Sequence, residues 1–222
     1  RCRHLQLRTP STEAVTQVLI NRDKISPEMA EFAAKVSQGH IGRARYLATN
    51  ETARSNRKMI MQMPMQLGSL ASALQAAQTL VDIATEEAKV TSESRDEIEI
   101  EKLQEAYGKG ATGRGMATGG SKAVKELEKE QKSRSTRMVR DSIDGALLDL
   151  ATFYRDVMMV QSGSTEALIN SDLSREVATY SASSPASSSI KKLDAIMESR
   201  THLAMNAAPL ATCEALMCHL AQ

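Results

Sequence analysis

Tryptophan is absent from this 222-residue chain, and phenylalanine and tyrosine together make up only 3% of it. A sheet-rich protein draws on aromatic and β-branched side chains, which fit a pleated surface. Their place is taken here by Ala, Leu, Met, Glu, Lys and Gln, residue types that lose little rotamer freedom in a helix. Methionine alone reaches 12. Cysteine is scarce as well. Cys2, Cys213 and Cys218 are too few for a disulfide framework in a chain this long, and they fit a reducing, cytoplasmic setting. No run of about 18 apolar residues occurs, so no membrane span is expected. The basic-then-apolar pattern of a secretory signal is not visible either. What remains, 41% hydrophobic and 25% charged residues, excludes disordered and collagen-like chains. It is the balance of a globular protein with one or two domains. The chain opens Arg1-Cys2-Arg3 without an initiator methionine, as a piece of a longer protein would.

Charge is balanced overall, 28 basic against 27 acidic residues, but not locally. Residues 1–60 hold eleven Lys/Arg against five Asp/Glu. Residues 81–107 reverse this with nine acids against three bases, and residues 108–140 return to nine bases against three acids. Such blocks mark either surfaces that meet other macromolecules or solvated helix faces.

Helical punctuation runs along the whole chain. Ser11 is placed to cap a helix carrying Val15, Val18 and Leu19 on one side. Pro27 follows Ser26 at the first position of a second helix, with Phe32, Ala33 and Val36 as its apolar stripe and Gly39 as its stop. A third helix is expected from about His40 to Thr49, with Ile41, Ala44 and Leu47 on one face. Pro64 interrupts the next helical run. A long amphipathic helix then passes Leu67, Leu70, Leu74 and Leu80 and turns acidic toward Tyr107. Six glycines between 108 and 120 read as a flexible linker. A Lys/Glu-rich helix begins near Ser121 and ends at Gly163. The serine-rich stretch 181–189, which holds Pro185, reads as a second loop, followed by helices over 190–203 and 209–220. Period-two alternation is confined to the first ten residues, which read as extended. The expected class is all-α.

Few residues announce chemistry. Gly108-Lys109-Gly110-Ala111-Thr112-Gly113 spells G-x-G-x-x-G, but a dinucleotide site needs a strand before it, and an acidic helix stands there instead. Arg114-Gly115 occupies the place where a phosphate-binding loop needs Lys-Ser/Thr. Cys213, Cys218 and His219, with His202, lack the spacing of a zinc site, and the thiols read as small core side chains. No metal site is expected. The run Lys132, Arg134, Arg137 and Arg140 is spaced to touch phosphates, yet it has no aromatic partners and equally describes a solvated face. Phe153, Val157, Leu203, Leu210, Leu216 and Leu220 are the expected core of the C-terminal half, with Phe153 as its anchor.

Several motifs share one resemblance. Arg1-Cys2-Arg3, followed by Leu5-Gln6-Leu7 and Pro10, is similar to the Ser-Arg-Cys motif that closes the ATPase domain of bacterial clamp-loader subunits, members of the AAA+ family. Gly39-His40-Ile41-Gly42-Arg43-Ala44-Arg45 lies where that family carries its sensor-two helix. The segment from Asp144 to Asp156 resembles the collar region of the delta-prime branch. So do Glu198-Ser199-Arg200, Asn206, Pro209-Leu210-Ala211 and Glu214-Ala215-Leu216. The likeness is strongest over 1–49, 144–160 and 198–220 and weak over 51–130.

The resemblance implies that residues 1–10 end an ATPase-like domain, 11–50 form a three-helix lid, and 51–222 form a helical collar with a Gly-rich loop at 108–120. It implies a non-catalytic subunit of the replicative clamp loader, within the DNA polymerase III holoenzyme. The partners would be gamma/tau and delta subunits in a hetero-oligomeric ring and, through the assembly, the sliding clamp and primed DNA. No cofactor is expected in this portion, and no membrane. Arg1 would act as an arginine finger in a neighbouring ATP site, in the full-length context only. Gly42 stands where an active sensor-two helix has arginine, so no nucleotide-binding residue is assigned. Arg43, one position later, is turned about 100° around the helix axis and is expected to pack or lie at the surface. Two other readings stay open, a fragment of an active AAA+ ATPase such as gamma/tau and a helical scaffold unrelated to replication.

Overall fold

The computed structural model describes residues 8–108 and 119–222. Among them every regular element is helical and no strand occurs. The chain is all-α. It divides into two compact units, Arg1–Gln66 with Asp149–Asp194, and Leu67–Leu148 with Ala195–Gln222.

The first unit begins with three short helices, α1 (Thr12–Asn21), α2 (Pro27–Val36) and α3 (Ile41–Thr49). Their starts follow the chemistry of helix caps. The Ser11 hydroxyl accepts the Ala14 N–H at 3.2 Å, and Pro27 opens α2 where its missing N–H costs nothing. Gly39 ends the α2–α3 connection with a φ of +84°, and a Cβ there would lie 2.4 Å from the Thr9 side chain. Only glycine fits that place. Val15 and Leu19 meet Ala30, Ala33, Ala34, Ala44 and Leu47 in a core of small residues, which lets the helices approach closely.

Asn50 then caps α4 (Glu51–Gln62), accepting the Ala53 N–H at 3.1 Å. Pro64 breaks the run as a single 3-10 turn, Met63–Met65. The rest of this unit comes from much later in the chain. It comprises residues 149–161 of a long helix, a shorter helix Ser174–Ser183, and the start of the helix Ala186–Ala204.

The second unit is built on a helical hairpin. Helix α5 (Leu70–Ala106) has 37 residues and α6 (Gly120–Gln161) has 42, about 55 and 63 Å long at 1.5 Å per residue. The Arg134 guanidinium reaches Asp96 while the Ser142 hydroxyl reaches Glu87, so the two helices run antiparallel. Along α5, Ala73, Ala77, Leu80, Ala84 and Ala88 are buried at spacings of three and four, one stripe of a helix. Thr212, Cys213, Leu216, Met217 and Leu220 are the buried residues of the last helix, α9 (Pro209–Leu220).

The serine-rich stretch is not the loop its composition predicts. Helix α7 (Ser174–Ser183) and α8 (Ala186–Ala204) take all of it except Ser184 and Pro185. The serines give up their competing turn conformations by bonding back to helix carbonyls, Ser181 to Ala178 at 2.8 Å and Ser183 to Tyr180 at 3.0 Å. Leu210 also departs from expectation and stands 37% exposed, while Phe153, Val157, Leu203, Leu216 and Leu220 are buried.

Candidate functional site

Of the residues the sequence singled out, Arg1 lies outside the described residues, as do Cys2 and the whole of the glycine motif after Gly108. Gly42 is the second residue of α3. The helix start beside it is capped by His40, whose Nδ1 accepts the Arg43 N–H at 3.0 Å. A Cβ on Gly42 would meet the His40 ring at 3.3 Å.

Arg43 does not sit at the surface. Its guanidinium donates to Asp149 on α6, and the two side chains are 17% and 3% exposed. Asp149 also accepts from Arg57 Nε on α4 at 3.0 Å. Arg57 is itself buried. It donates further to Asn170, and its guanidinium lies 5.9 Å from the centre of the Phe32 ring. Asn170 in turn donates to Asp156, whose carboxylate takes the Asn170 N–H at 2.7 Å and the Ile169 N–H at 3.0 Å. One connected polar network therefore ties α3, α4 and α6 to the segment before α7. Buried charges persist only when paired and hydrogen-bonded, and each charged member here has an ionic or hydrogen-bonded counterpart. Arg43 Nη1 is the one guanidinium nitrogen of the set buried without an acceptor. Charges this committed are structural rather than available to a ligand.

Beside this network stands the aromatic cluster. Phe153, Tyr154 and Tyr180 meet edge to face with ring centres 5.5–5.7 Å apart. Burial, together with the neighbouring Tyr180, pushes the Tyr154 hydroxyl well above its ordinary range. Lys192 bonds the Tyr180 hydroxyl at 3.0 Å. The expected anchor role of Phe153 has this contact basis.

The basic run of α6 divides. Arg134 closes on α5, 3.0 Å from Asp96 and 3.2 Å from Glu99 Oε1, while the Gln131 amide donates to the Asp96 carbonyl at 3.0 Å. Hydrogen bonds from Arg134 and then Arg95 hold the Glu99 carboxyl down to about 2. The acidic block of α5 and the basic block of α6 thus meet, at least here, within the hairpin. Arg137 is exposed and Arg140 half-buried, and among the described residues neither has a hydrogen-bonding or ionic partner.

Cys213 is buried, and burial pushes its thiol up to about 12, which leaves it protonated and unreactive. Among the described residues no three His, Cys, Asp or Glu side chains converge as a metal site. No helix among them is long and apolar enough to cross a membrane.

Two features escaped the sequence reading. The Asp149 carboxylate sits in an apolar run, Leu147, Leu148, Leu150 and Ala151, and an acid amid leucines is the one signal that points to a buried partner. Asp156, which follows Arg155, carries no such signal. The pairing of Arg134 was legible only as complementary blocks. Compared with known proteins, the chain matches no family model, and neither a curated protein nor a solved structure is significantly similar to it.

Proposed function

We propose that this chain is the lid and collar portion of a delta-prime subunit of a bacterial replicative clamp loader. It would be an assembly subunit without ATP turnover of its own. In that role it joins gamma/tau and delta subunits in a ring that places the sliding clamp on primed DNA. The observation that carries the reading is the start of α3. Glycine stands at position 42, and the guanidinium of the next residue is neutralised by Asp149. A sensor arginine must keep its donors free for phosphate oxygens. Position 42 has no side chain to offer them, and Arg43 turns Nη2 onto Asp149 while its remaining Nη1 is buried without an acceptor, as fits a subunit that resembles an ATPase without working as one. The all-α class of the described residues suits a lid followed by a collar, a fold that many functions share.

The test uses the full-length protein containing this chain, mixed with purified gamma/tau and delta. The expected result is a stable ring, and competition for that ring by the chain alone. Within the ring, Arg1→Ala in the full-length protein lowers ATP turnover by at least about tenfold, since an arginine supplied in trans contributes roughly 10³–10⁵ in comparable systems. Gly42→Arg leaves the isolated protein without turnover, because one residue does not complete a site. ATP hydrolysis by the isolated full-length protein would instead favour an active subunit of the gamma/tau kind. A folded chain that neither joins nor competes with the ring ends the clamp-loader reading.

A further inference from the structure

The second unit holds an open cleft of about 810 Å³ between the middle of α6 and the end of α8. Arg137, Arg140, Asp141 and Asp144 line it from α6, and Met197 and Arg200 from α8. These α6 residues recur at the three- and four-residue spacings of one helix face. Asn206, in the left-handed conformation at φ 65°, lies where the chain turns out of α8 and also lines the cleft.

The charges in this cleft are not equivalent. Arg200 is committed, its Nε and Nη2 donating to the two Asp144 oxygens at 2.8 and 2.9 Å. Arg137 and Arg140 are one turn apart and, among the described residues, unpartnered. The Arg140 Nε is shielded from solvent with no acceptor in reach. A shielded donor without an acceptor is costly, and an incoming acceptor relieves that cost. The pair therefore asks for a ligand with anionic oxygens, which a guanidinium can bind in a planar, two-pronged way.

Nucleic acid fits poorly. No aromatic side chain lines the cleft to stack on a base. Asp141 shares the wall with the arginines, and a phosphate chain with a charge at every nucleotide would be driven against it. Peptide carboxylates come singly, between neutral backbone groups that Asp141 can accept from. Met197 is 47% exposed and offers a deformable apolar contact beside the arginines.

We propose that this cleft docks an acidic segment of a partner protein, with carboxylates on Arg137 and Arg140 and a neighbouring apolar side chain against Met197. The inference rests on the cleft alone and stands whether or not the clamp-loader reading does.

The test is fluorescence anisotropy with the whole chain at low salt. The probe is a fluorescein-labelled peptide of alternating glutamate and leucine, compared with the same peptide carrying lysine for glutamate and with an oligothymidylate. The acidic peptide should saturate below about 1 mM and weaken as salt rises. Arg137→Gln and Arg140→Gln should each weaken it by about fivefold. Arg140→Glu should reverse the preference toward the lysine peptide. Arg137 is exposed and unpartnered, so its variant remains folded, which circular dichroism checks. Three results would overturn the proposal. These are no saturation by about 1 mM, folded variants that bind as the wild type does, or an oligothymidylate that binds more tightly than the peptide and is lost in the same variants.

Discussion

The two units take parts of the same helices, α6 and α8, and use charge in opposite ways. In the first, charged side chains lie in the interior. Arg57 and Asp149 are 4% and 2% exposed, Asp156 is fully buried, and an aromatic cluster packs beside them. In the second, the interior is an alanine-rich stripe against α9, and the ion pairs that join its helices lie at partly exposed places. The Arg134–Glu99 pair is 29% and 28% exposed. Burial decides what a charge contributes. Inside, a charge must be paired or it is strongly destabilising, and near solvent the same pair is screened and modest.

The largest expected effect is in the first unit. Asp149→Ala strands the guanidiniums of Arg43 and Arg57 and should cost about 3–5 kcal/mol in chemical denaturation. A neutral replacement of the whole set, with Arg57→Met and Arg43→Met added, should recover part of that loss. If Asp149→Ala alone proves harmless, the network is not what holds this unit, and the contrast between the units fails.

Phe153→Ala falls in the same range, about 3–5 kcal/mol, but through packing alone. It should lower the melting temperature and loosen Tyr154 and Tyr180, seen as a change in near-ultraviolet circular dichroism.

A smaller and more local effect is expected in the hairpin. Arg134→Ala should speed hydrogen exchange near Asp96 and Glu99 and leave the first unit unchanged. Acid should act in the same direction. The Glu99 carboxyl is held at about 2, below its ordinary 4.5, so the folded hairpin binds fewer protons than the unfolded one. Its stabilisation is complete above about 4.5 and is lost as pH falls toward 2. Arg134→Ala should flatten that pH dependence. An unchanged acid profile would mean that the pair does no work in the hairpin.

The smallest effect is chemical rather than energetic. With its thiol raised to about 12 and buried in α9, Cys213 should resist iodoacetamide at neutral pH until the chain unfolds, while the half-buried Cys218 reacts first. Rapid native labelling of Cys213 would show that α9 opens freely, and the second unit would then be the looser of the two.

Local chemistry made much of the fold readable from the sequence. Ser11, Pro27 and His40 start helices for reasons contained in a few neighbouring residues, and Pro64 interrupts one for the same kind of reason. The apolar spacing around Phe153 pointed to burial because period and core face are linked on any helix. The serine-rich stretch misled because its composition favours turns, and the packing of α7 and α8 overrode that preference. The candidate site was less legible. Arg43 could be placed off the position-42 direction by helix geometry, but its partner could not be named.

The sequence by itself determined the all-helical class, the punctuation of α1 to α3 and the length of the hairpin helices, since caps, propensity and period act within a few residues. Only the tertiary structure decided that Asp149 serves Arg43 and Arg57 from about a hundred positions away, that Arg134 turns inward to Glu99, and that Arg137 and Arg140 are left free. Such pairings depend on which helices come together in space, and nothing in the local spacing of charges encodes that choice.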